Sequence, residues 1–326
     1  MFQNLNEDVS SMFDDANQFS LYSSDTDLNT INVGIFTSES TFSHQVLMHF
    51  NGLSAHFKNL NICYFGDVHN MDSNYNEITQ ECARYNILPI FIGIHDNVMY
   101  SAIKNLEILH LISNKLTNLA SNPKKLNFIG YQRHINSYMD TLTLENLYPN
   151  AASLGKISTY PFIIEPILRD AELVHCNLNV LKSSELPNSS TATPTGMTAE
   201  QFCQMGKYIG LSNHLKCLGI APAATDYQNQ MEAKLTATFL WYVLEGINMK
   251  NNSHPSTSNS IQSFVVTNSI LDEELTFVQN NDGKYWLKLE HGENIKYIAC
   301  AEEEFKSCLN NEFPVRLQKY FELITE

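Results

Sequence analysis

The stretch EPILRDAELVHCNLNVLKSSELPNSSTATPTGMTAEQFCQMGKYIGLSNHLKCLGIAP, residues 165–222, decides the fold. It places an apolar run, a polar loop, a helical pattern and a second apolar run in succession. Thr198 and Gln201 have the spacing of a capping box, which predicts the start of a helix, and Gly210 is placed to end it. A long apolar helical pattern follows at 229–248. Strands that alternate with helices predict a parallel sheet covered by helices on both faces.

The same alternation extends along most of the chain. Seven apolar runs have the length of a strand and are nearly continuous in hydrophobicity, as expected for strands covered on both faces. They are residues 31–36, 60–67, 87–94, 106–112, 126–131, 172–181 and 215–221. Helical patterns lie between many of them. The predicted fold class is therefore α/β, a three-layer α/β/α domain with a mainly parallel sheet.

Composition divides the chain into four predicted parts. Residues 1–30 form an acidic arm with few large apolar positions, which we expect to be flexible. Residues 31–250 form the α/β domain, and residues 251–260 a polar linker. Residues 261–326 form a small α+β extension with its own β-meander, in which the sequence NNDG at 280–283 predicts a hairpin.

Charge and cysteine content exclude several classes of protein. With 20 basic and 35 acidic residues the net charge is -15, which repels phosphate backbones, so we expect no nucleic-acid partner. No apolar run approaches the roughly 18–20 residues of a membrane span, and the polar N-terminus has no signal-peptide pattern. Seven scattered cysteines without a CxxC pair indicate neither a disulfide framework nor a zinc ribbon. These features predict a cytoplasmic protein without membrane insertion.

Three stretches together resemble one known family. They are residues 165–222, the helix QMEAKLTATFLWYVLEG at 230–246, and PIFIGIHDNVMY at 89–100. Their order and spacing resemble the ureohydrolases, the family of arginases, agmatinases and formimidoylglutamases, in a divergent bacterial branch whose metal-ligand motifs are degenerate. The resemblance covers about residues 88–250 and implies an arginase-like α/β/α domain with a small C-terminal extension.

The resemblance also implies the loss of a metal site. In the family, two Mn²⁺ ions held by Asp and His side chains at strand ends deprotonate the water that attacks a guanidino or formimidoyl carbon. The corresponding positions here are Asp96 beside an inverted His95, then Ser113, Lys115 and Thr117, then Asn177 and Asn179. The acidic residue that receives the substrate is replaced by Pro222. One shifted carboxylate cannot hold two dications, so we expect no metal there and no catalytic residue.

Other charged residues near the predicted strand ends have local interpretations. The ammonium of Lys115 is predicted to lie among neutral amides and to replace the missing cations by donating hydrogen bonds. Arg133 and His134 follow a predicted strand, where α/β sites lie, and anchoring of a loop is favoured there over contact with a ligand. Arg169 and Asp170 predict a local ion pair or a helix-end contact.

Three functional hypotheses follow. The first is a pseudoenzyme on the arginase fold with a structural, regulatory or partner-binding role, without a cofactor, whose partner is another protein or a second copy of the chain. The second is a divergent hydrolase of C–N bonds that uses Asp96, His95 and His134, with Mn²⁺ only in this case. The third is a small-molecule sensor in which Lys115 and Arg133 are the candidate ligand contacts. Fold alone does not choose among them.

Overall fold

The structure is a computed structural model that describes residues 19–38, 41–54, 56–68, 71–94, 108–116, 125–187, 189, 191–223, 230–251, 254–257, 261–268, 273–291 and 294–325. The predicted fold class is confirmed, because the core is a nine-stranded sheet in which every neighbouring pair of strands is parallel. Its strands are β1 (Ser20–Leu21), β2 (Val33–Thr37), β3 (Ile62–Asp67), β4 (Leu88–Ile92), β5 (Ile108–Ile112), β6 (Lys125–Tyr131), β7 (Ala152–Ser153), β8 (Leu173–Asn177) and β9 (Cys217–Ala221). Across the sheet they lie in the order β1-β3-β2-β4-β9-β8-β5-β6-β7.

Helices cover both faces of this sheet. Those of the core are α1 (Thr41–Asn51), α2 (Met71–Arg84), α3 (Tyr138–Leu147), α4 (Leu154–Thr159), α5 (Ile164–Arg169), α6 (Ala199–Leu211) and α7 (Gln230–Asn248). Neighbouring residues of a strand point to opposite faces. In β2, Ile35 therefore packs in one hydrophobic cluster with side chains of α1, α6 and α7, and Phe36 packs in a second cluster with side chains of α2 and α3. The chain is a three-layer α/β/α structure.

The capping box that was predicted at the start of α6 is present. Thr198 accepts a hydrogen bond from the backbone of Gln201, whose side chain accepts one from the backbone of Thr198. The predicted role of Gly210 is wrong, because α6 continues to Leu211. A Cβ atom at Gly210 would lie 2.1 Å from the carbonyl oxygen of Val243. The glycine thus allows α6 and α7 to approach each other closely.

The C-terminal residues build a separate four-stranded antiparallel sheet, in agreement with the predicted meander. Its strands are β10 (Ile261–Asn268), β11 (Glu273–Asn280), β12 (Tyr285–His291) and β13 (Asn294–Cys300), and they are followed by α8 (Glu302–Leu309) and α9 (Val315–Thr325). The predicted hairpin joins β11 to β12 through Gly283, whose φ of 74° favours glycine. The interior of this unit contains Phe277, Leu287 and Phe305.

Two arginines attach this unit to the core. Arg169 pairs with Glu165 one helical turn away. It also donates hydrogen bonds to the carbonyl oxygens of Tyr285, at 2.7 Å, and Cys300, at 3.1 Å. Arg316 of α9 is 4% exposed and donates to the side-chain oxygen of Asn150 in the core, at 3.0 Å. The two parts of the chain therefore share polar contacts, of which the one between Arg316 and Asn150 is buried.

The first described residues belong to the sheet. Phe19 is buried, and Ser20–Leu21 pairs in parallel with β3, so the described end of the predicted N-terminal arm is bound to the core. The boundaries at residues 30, 250 and 260 stay predictions. All seven cysteines are buried and free, and the sequence had indicated no disulfide framework. Within the described ranges, no helix combines the length and the apolar character that crossing a bilayer requires.

The close approach of α6 and α7 gives a stability prediction. Gly210→Ala places a methyl group against the Val243 carbonyl and should lower the free energy of unfolding by about 1–3 kcal/mol. Gly155→Ala is the matched control, since Gly155 lies in α4 with no atom within 4 Å of an added Cβ. Urea denaturation of both variants tests this, and equal unfolding midpoints would contradict the tight helix contact.

Candidate functional site

Parallel pairing brings the carboxyl ends of all core strands to one side of the sheet, which we call the carboxyl edge. Ligands of open α/β sheets bind outside this edge. Ser113 follows β5, Asn177 ends β8, and Pro222 follows β9, so the structure brings these sequence-predicted positions to the same edge. The neighbouring strand β4 continues through Gly93, with a φ of 88°. His95 and Asp96, predicted beyond it, and Thr117 lie outside the described residues.

Between β5 and β8, neutral side chains bind one another. The side-chain oxygen of Asn179 accepts a hydrogen bond from the backbone N–H of Asn114 at 3.1 Å and lies 3.2 Å from the hydroxyl of Ser113. The side-chain oxygen of Asn177 accepts from the backbone N–H of Asn179 at 3.0 Å. Asn136 donates to the carbonyl oxygen of Asn114 at 3.0 Å. We call Ser113, Asn114, Asn136, Asn177 and Asn179 the amide cluster.

The predicted environment of Lys115 is wrong. Its side chain is exposed, whereas Ser113 and Asn114 beside it are buried. Its backbone N–H donates to the Ser113 hydroxyl oxygen at 3.3 Å, so only its main chain joins the network. The side-chain oxygens of Asn177 and Asn179 already accept hydrogen bonds from the loop backbone and from Ser113. They therefore do not need an ammonium as a donor.

The segment after β6 anchors a loop. Gln132 is 2% exposed, and its amide donates to the carbonyl oxygen of Thr195 at 2.9 Å and accepts from the Thr195 hydroxyl at 2.8 Å. Arg133 pairs with both carboxylate oxygens of Glu145, at 2.8 and 2.5 Å. His134 is exposed in the following 3-10 turn. The guanidinium of Arg133, a candidate ligand contact, is thus already paired with a carboxylate.

A second polar group at the carboxyl edge has no counterpart in the sequence-based prediction. Asp67, which ends β3, is 1% exposed, and one of its oxygens accepts a hydrogen bond from the hydroxyl of Thr37 at 2.5 Å. The Nε2 atom of His44, near the start of α1, lies 2.9 Å from its other oxygen. The phenol of Tyr64 lies 2.8 Å from the Thr37 hydroxyl, and burial raises the pKa of Tyr64. A carboxylate that orients an imidazole is the usual way to prepare a general base.

Several strands of the sheet lie between the His44–Asp67 pair and the other candidate residues. Four strand spacings of about 4.8 Å place the end of β8 roughly 19 Å from the end of β3. By the same measure His134, which follows β6, lies roughly 24 Å from the end of β2. The sequence signal for the pair is Asp67 itself, an acidic residue that ends a buried apolar run, but His44 is close to it only in the folded chain.

Comparison with solved structures identifies the fold. Over 70% of this chain and 96% of the other, the chain is similar to Trypanosoma cruzi formiminoglutamase solved with Mn²⁺, with a TM-score of 0.59 and 11% identity. For formimidoylglutamase from Bacillus subtilis the coverage is 72% and 92%, the TM-score 0.55 and the identity 16%. For the agmatine ureohydrolase of Thermoplasma volcanium these values are 73%, 98%, 0.56 and 10%. No family model and no curated protein sequence matches the chain. The chain therefore has the arginase-like ureohydrolase fold, and identities this low show the fold alone.

The amide cluster does not fit a dinuclear Mn²⁺ centre. Mn²⁺ prefers carboxylates and imidazoles, and two adjacent dications need negative charge close by. The amide cluster offers uncharged oxygens that already accept hydrogen bonds from the backbone and from the Ser113 hydroxyl. No step of a reaction is therefore assigned to a metal at this position.

The amide cluster gives a second stability prediction. Asn179→Ala leaves the buried N–H of Asn114 without its acceptor and should lower the free energy of unfolding by roughly 1–3 kcal/mol. Asn179→Asp keeps an acceptor oxygen and should cost less. Lys115→Ala removes an exposed side chain and should change stability by less than about 0.5 kcal/mol. Thermal and urea unfolding test the three variants, and a larger loss for Lys115→Ala than for Asn179→Ala would contradict the described network.

Proposed function

We propose that this chain is an arginase-fold pseudoenzyme, a protein that has kept the ureohydrolase fold without its dinuclear metal site and acts in a structural, regulatory or partner-binding role. The observation that carries the proposal is the amide cluster. At the positions that the family resemblance assigns to metal ligands, Asn177, Asn179 and Ser113 bond with one another and with the loop backbone. The fold supports the ancestry, and the chemistry of these side chains supports the loss of function.

The reason is the nucleophile. Bulk water has a pKa near 15.7, and a bound metal lowers it to about 7, which supplies hydroxide at neutral pH. Asparagine preserves the shape of aspartate but carries no charge, so Asn177 and Asn179 cannot offset the charge of two dications. Pro222, at the position assigned to the substrate-binding acid, is buried and offers no carboxylate for a guanidinium. At the described positions that the resemblance assigns to metal binding and to substrate binding, the carboxylates that the family uses are therefore replaced by neutral residues.

This proposal predicts no turnover. Purified full-length protein with excess Mn²⁺ should release no urea, formamide or ammonia above background from arginine, agmatine or formimidoylglutamate. Elemental analysis after dialysis should find no pair of Mn²⁺ ions per chain. Turnover that requires Mn²⁺ would show that the positions assigned to metal ligands are misaligned, and the proposal would then fail.

One observation favours a second candidate, a hydrolase of C–N bonds that works without metal. The buried carboxylate of Asp67 holds the imidazole of His44 at 2.9 Å and is itself held by Thr37. Imidazole is the side chain that most often accepts a proton in general-base catalysis at neutral pH. Such general-base catalysis contributes only about 10²–10⁴-fold, so this candidate predicts slow turnover.

The two candidates differ in their response to chelation. For the second candidate, slow turnover of one of the three substrates should survive excess chelator and fall to background in His44→Ala. His134→Ala is the matched control, because that exposed histidine lies about five strand spacings away and should leave turnover unchanged. If wild-type protein and both variants give the same background, the metal-free hydrolase is excluded and the pseudoenzyme stands.

A further inference from the structure

A cavity of about 570 Å³ lies between the core and the C-terminal unit, and we call it the seam cavity. From the core it is lined by residues that precede strands, such as Glu172 and His214, and by His110 of β5 and Asn127 of β6. From the C-terminal unit it is lined by residues of β13 and α9, among them Lys296 and Tyr320. It therefore lies at the edge of the sheet opposite to the carboxyl edge. A five-residue strand separates the two edges by about 16 Å.

Three side chains that can bind a metal meet in the seam cavity. They are Asp170, which follows α5, His214, which precedes β9, and His254, in the segment between α7 and β10. One ligand atom from each of the three lies within 4.8 Å of the others, and within the described ranges this is the group with that property. Two imidazoles and one carboxylate are a ligand set that Zn²⁺ and Fe²⁺ accept in proteins.

The surroundings hold His254 in place. Its ring packs edge to face with Trp286, at 5.9 Å between centroids, and with Tyr297, at 5.8 Å. Its Nδ1 atom lies 2.6 Å from the hydroxyl of Ser256, and its ring lies 5.5 Å from that of His214. His214 is exposed, so its side chain can turn to close the set around an ion.

Local charge also permits a cation here. Burial raises the pKa of Asp170, and a bound cation would offset this by stabilising the carboxylate. The neighbouring guanidinium of Arg169 is already balanced by Glu165, at 2.6 Å, and lies over the ring of Trp286. Arg169, the basic residue next to Asp170 in the sequence, therefore already has a carboxylate as its counterion.

We propose that Asp170, His214 and His254 form a mononuclear site for Zn²⁺ or a similar divalent transition-metal ion. Three protein ligands leave at least one coordination position open, and all three residues line the cavity, so water or a small anionic ligand can complete the shell there. The ion joins two loops of the core to the segment that leads into the C-terminal unit. This site is independent of the carboxyl edge and of the proposed loss of the dinuclear centre.

The test uses the full-length protein after dialysis against a chelator. Titration with Zn²⁺ in competition with a chromophoric chelator should show one equivalent of Zn²⁺ bound per chain, and this binding should depend on Asp170, His214 and His254. The melting temperature should rise with Zn²⁺ concentration. Loss of an outer-shell partner typically weakens a metal site 10–100-fold, so His214→Ala should weaken binding by at least as much. His254→Phe keeps the ring contacts with Trp286 and Tyr297 and should do the same. His49→Ala, a half-buried histidine on α1, is the matched control and should bind as wild type does.

The ligand shell has its own readout. Co²⁺ bound by these residues should give visible absorption bands that disappear in His214→Ala and His254→Phe and persist in His49→Ala. The proposal is overturned if no equivalent binds more tightly than millimolar, or if His214→Ala and His254→Phe both bind Zn²⁺ as tightly as wild-type protein does. A pair of metal ions that is unaffected by the seam variants would contradict the proposed function instead, so the two failures are distinguishable.

Discussion

Parallel pairing of nine strands is the constraint on which the rest of the structure depends. Each connection between parallel strands must return across a face of the sheet, which places helices on both faces and leaves two edges with different chemistry. The carboxyl edge carries the amide cluster and the His44–Asp67 pair. The amino edge is covered in part by the C-terminal unit, and the seam cavity lies between them. Both proposed features follow from where strands begin and end.

The attachment of the C-terminal unit depends on buried arginines whose charges are fully balanced. Arg316 is 4% exposed and donates to both carboxylate oxygens of Glu304, at 2.8 and 2.6 Å, as well as to Asn150. A buried ion pair adds little net stability, because desolvation of the two charges offsets their attraction. Its geometric demand is strict, however, since loss of either partner leaves a buried charge without compensation. The ion pair lies within the unit and fixes the Arg316 guanidinium, whose hydrogen bond to Asn150 reaches the core, while the apolar contacts around Phe277 and Phe305 supply stability.

Periodicity and turn chemistry predicted most of the fold, because these signals are local. The seven long strands, the capping box at Thr198 and the hairpin at Gly283 all depend on residues close in sequence. The two-residue strands β1 and β7 were missed, since two residues carry no periodicity. Gly210 was misinterpreted because its role depends on a carbonyl of another helix, and the exposure of Lys115 depends on a loop conformation that spacing does not encode. The family resemblance predicted a former metal site at the carboxyl edge, and it predicted which charged ligands of that site are replaced.

The seam site shows why a ligand set can be invisible in a sequence. Asp170 follows a helix, His214 precedes a strand, and His254 lies in a stretch whose composition indicates only a polar linker. Intervals of 44 and 40 residues have none of the short ligand spacings by which metal motifs are recognised, and the three meet only because the C-terminal unit packs on the amino edge. A dinuclear centre at the carboxyl edge needs several carboxylates at strand ends, and replacement of a few of them by asparagine is enough to remove it. A three-ligand site at the opposite edge depends instead on the attachment of an added unit. The proposed loss of the first and the proposed gain of the second are therefore physically independent on the same sheet.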